Sequence, residues 1–352
     1  MMNDKIQITN DAGEKVDAQT PVIVSASRST DIPAFYSKWF INRIKKGHIV
    51  WYNPFNQQPL YVSFKNCKVV VFWTKNPRPL MPYLKELDNT GIHYYFQYTL
   101  NDYEKESFEP KLPSLENRIN TFKELSTLIG KEKVIWRFDP IIVTTQLPPR
   151  EVLKRIWYIG NQIKGYTNKL VFSFIDINTY RKVQRNLVKE SSQFSRETIE
   201  CAELNLNQMN EIAEGLTKIQ EHWKNEGWNT SIATCAEEID LEKYHIEHNR
   251  CIDGEFMKQI FADDKELIYF LNFGKLPETN TLFANEFDKI KLSAEKLKDK
   301  GQRKAFGCMI SKDIGMYNTC SHLCIYCYAN TSKETVIKNM KLHNDNNESI
   351  IK

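Results

Sequence analysis

The sequence predicts an α/β fold, a partial TIM-type (β/α)6 barrel, on three observations. Six short runs of β-branched and aromatic residues recur along the chain. Helix-like amphipathic stretches follow them, and the runs are apolar on both faces, as strands buried in a parallel sheet are. Strand followed by helix, repeated, is the pattern of a parallel sheet with crossover helices, and six units suit a barrel of six strands rather than eight. An open doubly wound sheet is the alternative. No G-x-G-x-x-G loop follows the first run, which counts against a dinucleotide-binding sheet of that kind.

The elements follow in order. Residues 1–20 are polar throughout and are expected to be disordered. "PVIVSAS" (21–27) is the first strand. The stretch "DIPAFYSKWFINRIKKG" (31–47) is a helix with Phe35, Trp39, Phe40 and Ile44 on one stripe and Gly47 at its C-cap. Strands follow at "KVVVFWT" (68–74), "YYFQYTL" (94–100), "KVIWRFD" (133–139), "KLVFSFID" (169–176) and "TSIATCA" (230–236). Helices are expected at 114–130 and 150–165, and a charged outer helix at 284–301, closed by Gly301. A cysteine-rich segment, 301–330, is expected to fold back over the barrel mouth through "SKDIGMYNTC" (311–320), with Gly315 as the turn residue. Residues 21–338 thus form one domain, followed by a disordered tail, 339–352.

The net charge of +4 over 352 residues is too small an excess to indicate nucleic acid as a partner. No apolar run approaches the ~20 residues needed to span a bilayer, so no membrane partner is expected. The polar start lacks the features of a signal peptide. A cytoplasmic, reducing location is therefore expected, and the eight cysteines are read as thiols or ligands rather than disulfides.

Cys320, Cys324 and Cys327 carry the strongest chemical signal. The spacing C-x-x-x-C-x-x-C lets one loop offer three thiolates to a cubane. A fully protein-bound [4Fe–4S] cluster takes four, so three leave one iron open. A zinc site with His322 as the fourth ligand is the alternative. Cys235 at the end of the sixth strand, Cys251 in "NRCIDG" and Cys308 before the return segment are expected to reach the same mouth. They are candidates for a second cluster, against the common role of buried thiols as small apolar residues. His245 and His248 adjoin Cys251 and are expected to be exposed. Cys201, read as helix core, and Cys67, at a strand start, are expected to be structural. At the strand ends stand Arg28, Asp31, Lys75, Asn76, Arg137 and Asp139, where barrel chemistry gathers. Each taken alone is more often a cap or a loop ion pair, and Asp31 before "IP" is a plausible N-cap.

With Tyr326 before the last thiol, the three cysteines resemble the cluster motif of radical S-adenosylmethionine enzymes. That resemblance implies a [4Fe–4S] cluster on Cys320, Cys324 and Cys327. Its open iron would bind the amino and carboxylate groups of S-adenosylmethionine, with Tyr326 beside the adenine. In that superfamily the motif follows the first strand; here it follows the sixth. From "SASRSTDIPAFYSKWF" through "VFWTKNP", "RFDPI" and "CIDG" to "SKDIGMYNTCSHLCIYCYAN", about residues 20–335, the chain resembles the Domain of Unknown Function 1848 family. "WTKNP" is distantly similar to the spore photoproduct lyase group. The resemblance implies an enzyme that generates a 5′-deoxyadenosyl radical for hydrogen abstraction from an unidentified substrate, with an electron donor such as flavodoxin or ferredoxin. By rim position Lys75, Asn76, Arg137 and Asp139 are candidates for cofactor contacts, and Arg28 and Asp31 for substrate. The competing expectations are a non-catalytic iron–sulfur or zinc protein binding nucleic acid or a protein, and a nucleic-acid lesion repair lyase.

Overall fold

All six expected strands form, and they neighbour one another in chain order. The computed structural model describes residues 5–235, 237–277, 297–299 and 307–351. Its strands are β1 (Lys5–Thr9), β2 (Lys15–Gln19), β3 (Ile23–Ala26), β4 (His48–Tyr52), β5 (Pro59–Ser63), β6 (Val69–Thr74), β7 (His93–Thr99), β8 (Val134–Ile141), β9 (Lys169–Phe174), β10 (Ser231–Cys235), β11 (Glu247–Asn249) and β12 (Lys312–Asp313). The protein is mixed α/β. Its main sheet is an eight-stranded parallel one in the order β11-β10-β9-β8-β7-β6-β3-β12.

Both faces of this sheet are buried, which is why its strands read as continuous apolar runs. Alternation sends Val70 and Phe72 of β6 into one core and Val69 and Val71 into the other. The larger core is covered by helices such as Leu115–Ile129, Pro149–Gln162 and Leu206–Asn225. Helices Gly254–Ile260 and Lys265–Phe273 cover the second core through Met257, Leu267, Phe270 and Leu271. The segment before β12 joins this second core, where the Met309 N–H donates to the Ile252 carbonyl at 3.0 Å.

The expected helix at 31–47 is two helices, Ile32–Phe35 and Ser37–Lys46, and the second ends on Gly47 at φ +83°. Asp31 is the N-cap of the first, its side chain accepting from the Ala34 N–H. The helix expected at 284–301, with Gly301, lies outside the described residues apart from 297–299.

Both termini depart from expectation. Residues 5–19 form the β1–β2 hairpin, and β2 pairs with β5 in a four-stranded sheet, β1-β2-β5-β4. The residues are polar on average, but Ile6, Ile8, Val16 and Ala18 alternate with exposed ones, which is what a half-buried hairpin needs. The tail is also docked. Helix Lys333–Met340 is capped by Ser332, Trp39 Nε1 donates to the Asn347 carbonyl (2.9 Å), and the Val50 N–H donates to the Glu348 carbonyl (2.8 Å). Ile350 is buried. His48 Nε2 lies 2.8 Å from Glu348 Oε1, and Arg43 Nη1 lies 2.9 Å from Asp11 Oδ2. These side chains tie hairpin, helix and tail together.

Candidate functional site

A cavity of about 1090 Å³ opens at the carboxyl ends of the parallel strands, where ligands bind in parallel α/β sheets. Both cysteine triplets line it, together with Arg28, Asp31, Lys75, Arg137 and Asp139. The loop between β4 and β5 forms one wall, with Phe55 at its tip 95% exposed.

The cysteine loop reaches this cavity through β12, which adds a parallel strand beside β3 (Lys312 opposite Val24, Asp313 opposite Ser25). A segment late in the chain is thereby placed next to the first strand of the main sheet. Gly315 then passes so close to the β3 loop that an added Cβ would lie 1.7 Å from Ser27 Oγ. The glycine is required by space and not, as expected, by a turn. Asp313 fixes the approach, accepting from Ser25 Oγ (2.7 Å), the Arg28 N–H (2.8 Å) and the Gly315 N–H (2.9 Å). Further on, Tyr36 Oη donates to the Thr319 carbonyl (2.6 Å), Asn330 Nδ2 to the Cys320 carbonyl (2.9 Å) and Tyr328 Oη to the Arg28 carbonyl (2.8 Å). The loop is pinned at both ends.

Burial pushes the thiols of Cys320, Cys324 and Cys327 up, and metal binding would displace their protons. A single tetrahedral ion ~2.3 Å from each sulfur would hold its sulfurs about 3.8 Å apart. Among the described residues, the one triad of metal-ligating side chains with all ligand atoms within 4.8 Å is Asp11, His48 and Glu348. The wider spread of the thiols suits a cluster better than one ion. The Asp11 triad already has Arg43 as counter-charge. His322 Nε2 lies 2.8 Å from Asp31 Oδ2, while its buried Nδ1 has no partner.

Behind the loop lies a buried polar network that sequence reasoning missed in part. Lys75 Nζ donates to Glu109 Oε1 (2.6 Å) and to Tyr326 Oη (3.0 Å), and Tyr326 Oη donates to the same carboxylate. Asn101 Nδ2 donates to Glu109 (3.2 Å), and Asn101 Oδ1 accepts from the Asp139 N–H (2.9 Å). Burial opposes charge on both Glu109 and Lys75. Their attraction, with Arg118 aiding Glu109, outweighs it, holding the carboxyl below and the ammonium above its ordinary value. Glu109 sits in a loop with no periodic or motif signal.

The other expected rim residues divide. Arg137 donates to Asp139 Oδ2 through Nε (2.9 Å) and Nη2 (2.6 Å), and Ser173 Oγ donates to Asp139 Oδ1. Asp31 has protein partners on both oxygens, among them the Lys75 N–H (2.7 Å). Asn76 is not brought to the cavity: its side chain accepts from the Arg78 N–H and shapes the turn after β6.

The second triplet also assembles. Cys235 Sγ and Cys251 Sγ are 3.0 Å apart, and Cys251 hydrogen-bonds Cys308. His245 and His248 are exposed, as expected, and His248 Nδ1 lies 3.4 Å from Thr234 Oγ1. Cys67 is buried at the start of β6, where burial pushes its thiol up to about 12. Cys201 is exposed in a short turn and is not helix core, because the helix starts only at the Asn205 cap.

A family model matches residues 23–329, most of the chain. The chain belongs to the family described as Domain of unknown function (DUF1848). The DUF1848 match runs from β3 into the cysteine loop, taking in both triplets and the strand ends around the cavity. No curated protein shows significant similarity to the chain. No described helix is long and apolar enough to cross a membrane.

Proposed function

We propose that this chain is a radical S-adenosylmethionine-type iron–sulfur enzyme built on a partial barrel. The observation that carries the proposal is the convergence of Cys320, Cys324 and Cys327 with the polar strand ends on one cavity. Six strands in chain order, with β12 placing the cysteine loop beside β3, support the barrel architecture despite the late position of the motif. Three thiolates leave one iron of a [4Fe–4S] cluster for a small-molecule ligand. A cluster held by these three cysteines would supply one-electron reduction of the S-adenosylmethionine sulfonium, the source of the hydrogen-abstracting chemistry proposed here.

The protein's own part is to position and to exclude water. Tyr326 is suited to fix a flat ring surface at the cavity wall, because Glu109, Lys75 and Asn101 anchor its hydroxyl. Asp139, held by Arg137 and Ser173, presents a carboxylate to a zwitterionic ligand. Asp31 joins three loops and serves the shape of the site. Arg28 is left for substrate. An outside electron donor such as flavodoxin or ferredoxin is required.

Anaerobic purification tests the cluster. The protein is expected to be brown, with broad absorbance near ~400 nm, and Cys324→Ser is expected to lose about four irons. A colourless, folded protein carrying one zinc would overturn the reading in favour of a non-catalytic metal protein.

A further inference from the structure

Cys235, Cys251 and Cys308 come from three separate places, the end of β10, the segment after β11 and the segment before β12. All three are buried and line the cavity. The 3.0 Å between Cys235 Sγ and Cys251 Sγ is too close for comfortable contact of unbonded sulfurs and well beyond a ~2.05 Å disulfide. Cys251 is held from several sides. Tyr95 Oη (2.7 Å) and Gln97 Nε2 (2.9 Å) donate to its carbonyl, and Arg137 Nη1 donates to its sulfur (3.1 Å). Apolar core thiols need no such fixing, whereas metal ligands are regularly oriented by outer hydrogen bonds.

Arg28 supplies a second, independent observation. Its guanidinium lies 5.4 Å from the Trp73 ring centroid, and its buried Nη2 has no hydrogen-bond partner. The nearby carboxylate of Asp313 is occupied by the Arg28 main-chain N–H, Ser25 and Gly315. A buried guanidinium nitrogen without an acceptor is costly and marks a place for an anion.

We propose that Cys235, Cys251 and Cys308 hold a second iron–sulfur cluster, and that its remaining iron, with Arg28 beside it, receives a carboxylate of the substrate. No fourth cysteine is at hand: Cys67 is buried in the other core and Cys201 is exposed. Three thiols brought from three separate segments can serve three corners of a cubane, and the three sulfurs are not all within 4.8 Å of one another. The metal site stands apart from the radical proposal; only the assignment of the carboxylate to a substrate rests on it.

Iron and sulfide counts on the anaerobically reconstituted full chain test the site. About eight irons are expected in the wild type and about four in Cys251→Ala. The folded Cys320→Ser/Cys324→Ser/Cys327→Ser variant is expected to keep about four. If the first triplet holds no cluster, wild type and triple variant both carry about four and Cys251→Ala none, which separates the two proposals. If the triple variant does not fold, the comparison of wild type with Cys251→Ala still decides. A folded triple variant without iron, a zinc ion in its place, or a Cys251→Ala count equal to wild type overturns the second cluster. Malonate, as a carboxylate probe, is expected to shift the EPR signal of the reduced triple variant. Arg28→Ala is expected to lose that shift and keep its iron. An unchanged signal in malonate overturns the open-iron assignment.

Discussion

Glu109 is the residue on which the buried wall behind the cysteine loop depends. It collects Lys75, Tyr326 and Asn101, and Arg118 Nη1 lies 3.8 Å from its second oxygen. Its folded carboxyl titrates below the ordinary 4.5, so near that pH the unfolded chain binds more protons. Its contribution to stability is therefore complete above about pH 4.5 and is lost as pH falls through the lower folded value. Glu109→Gln leaves the Lys75 ammonium buried without its counter-charge, at a cost of about 3–5 kcal/mol near neutral pH. As pH drops from about 6 to about 3, urea midpoints are expected to fall for the wild type and to change less in the variant. Equal slopes would show that another carboxyl governs the acid limb. Gly315→Ala meets Ser27 Oγ and is expected to cost about 1–3 kcal/mol by overpacking, with poorer iron loading because the cysteine loop is displaced. Unchanged unfolding and iron content would show that the loop gives way without cost.

At the scale of elements, the C-terminal tail is part of the fold. Deleting 341–351 removes the buried Ile350, the acceptors at Asn347 and Glu348 and the partner of His48. A fall of several degrees in Tm is expected; an unchanged Tm would return the tail to the frayed end that its composition suggests. The same contrast explains what the sequence revealed. Strands β3 and β6 to β10 were legible because burial on both faces leaves a continuous apolar run. Strands β1, β2, β4 and β5 were not, since their apolar residues alternate within polar or turn-rich stretches. Two-residue β12 exists only through β3, which no local pattern encodes. In the site, Cys320, Cys324 and Cys327 announced themselves by spacing and Tyr326 by the motif it joins. Cys235 was legible as a strand end, and Cys251 and Cys308 only by their places in "NRCIDG" and before the return segment. Glu109 and Gln97 gave no signal, because their roles are set by partners tens of residues or more away. Asn76 was misplaced because a strand-end position does not tell whether a side chain turns toward the cavity or caps the turn.

For the whole molecule, eight parallel strands direct their carboxyl ends, two sets of three thiols and several buried ion pairs at one cavity. Lys75 with Glu109 and Arg137 with Asp139 are already matched in charge, whereas Arg28 Nη2 and His322 Nδ1 are buried at the same cavity without a hydrogen-bond partner. This pairing of a satisfied wall with two sets of thiols and an unpartnered guanidinium nitrogen motivates the proposal that cofactor and substrate meet there. The most direct measurement of the central claim is the anaerobic incubation of reconstituted protein with S-adenosylmethionine and dithionite, read for 5′-deoxyadenosine and by EPR. The account predicts slow release of 5′-deoxyadenosine and a cofactor-dependent shift of the reduced-cluster signal, both absent in Cys324→Ser. Asp139→Ala is expected to weaken release while keeping the cluster spectrum. A wild-type cluster whose signal ignores the cofactor and that yields no cleavage product would contradict it.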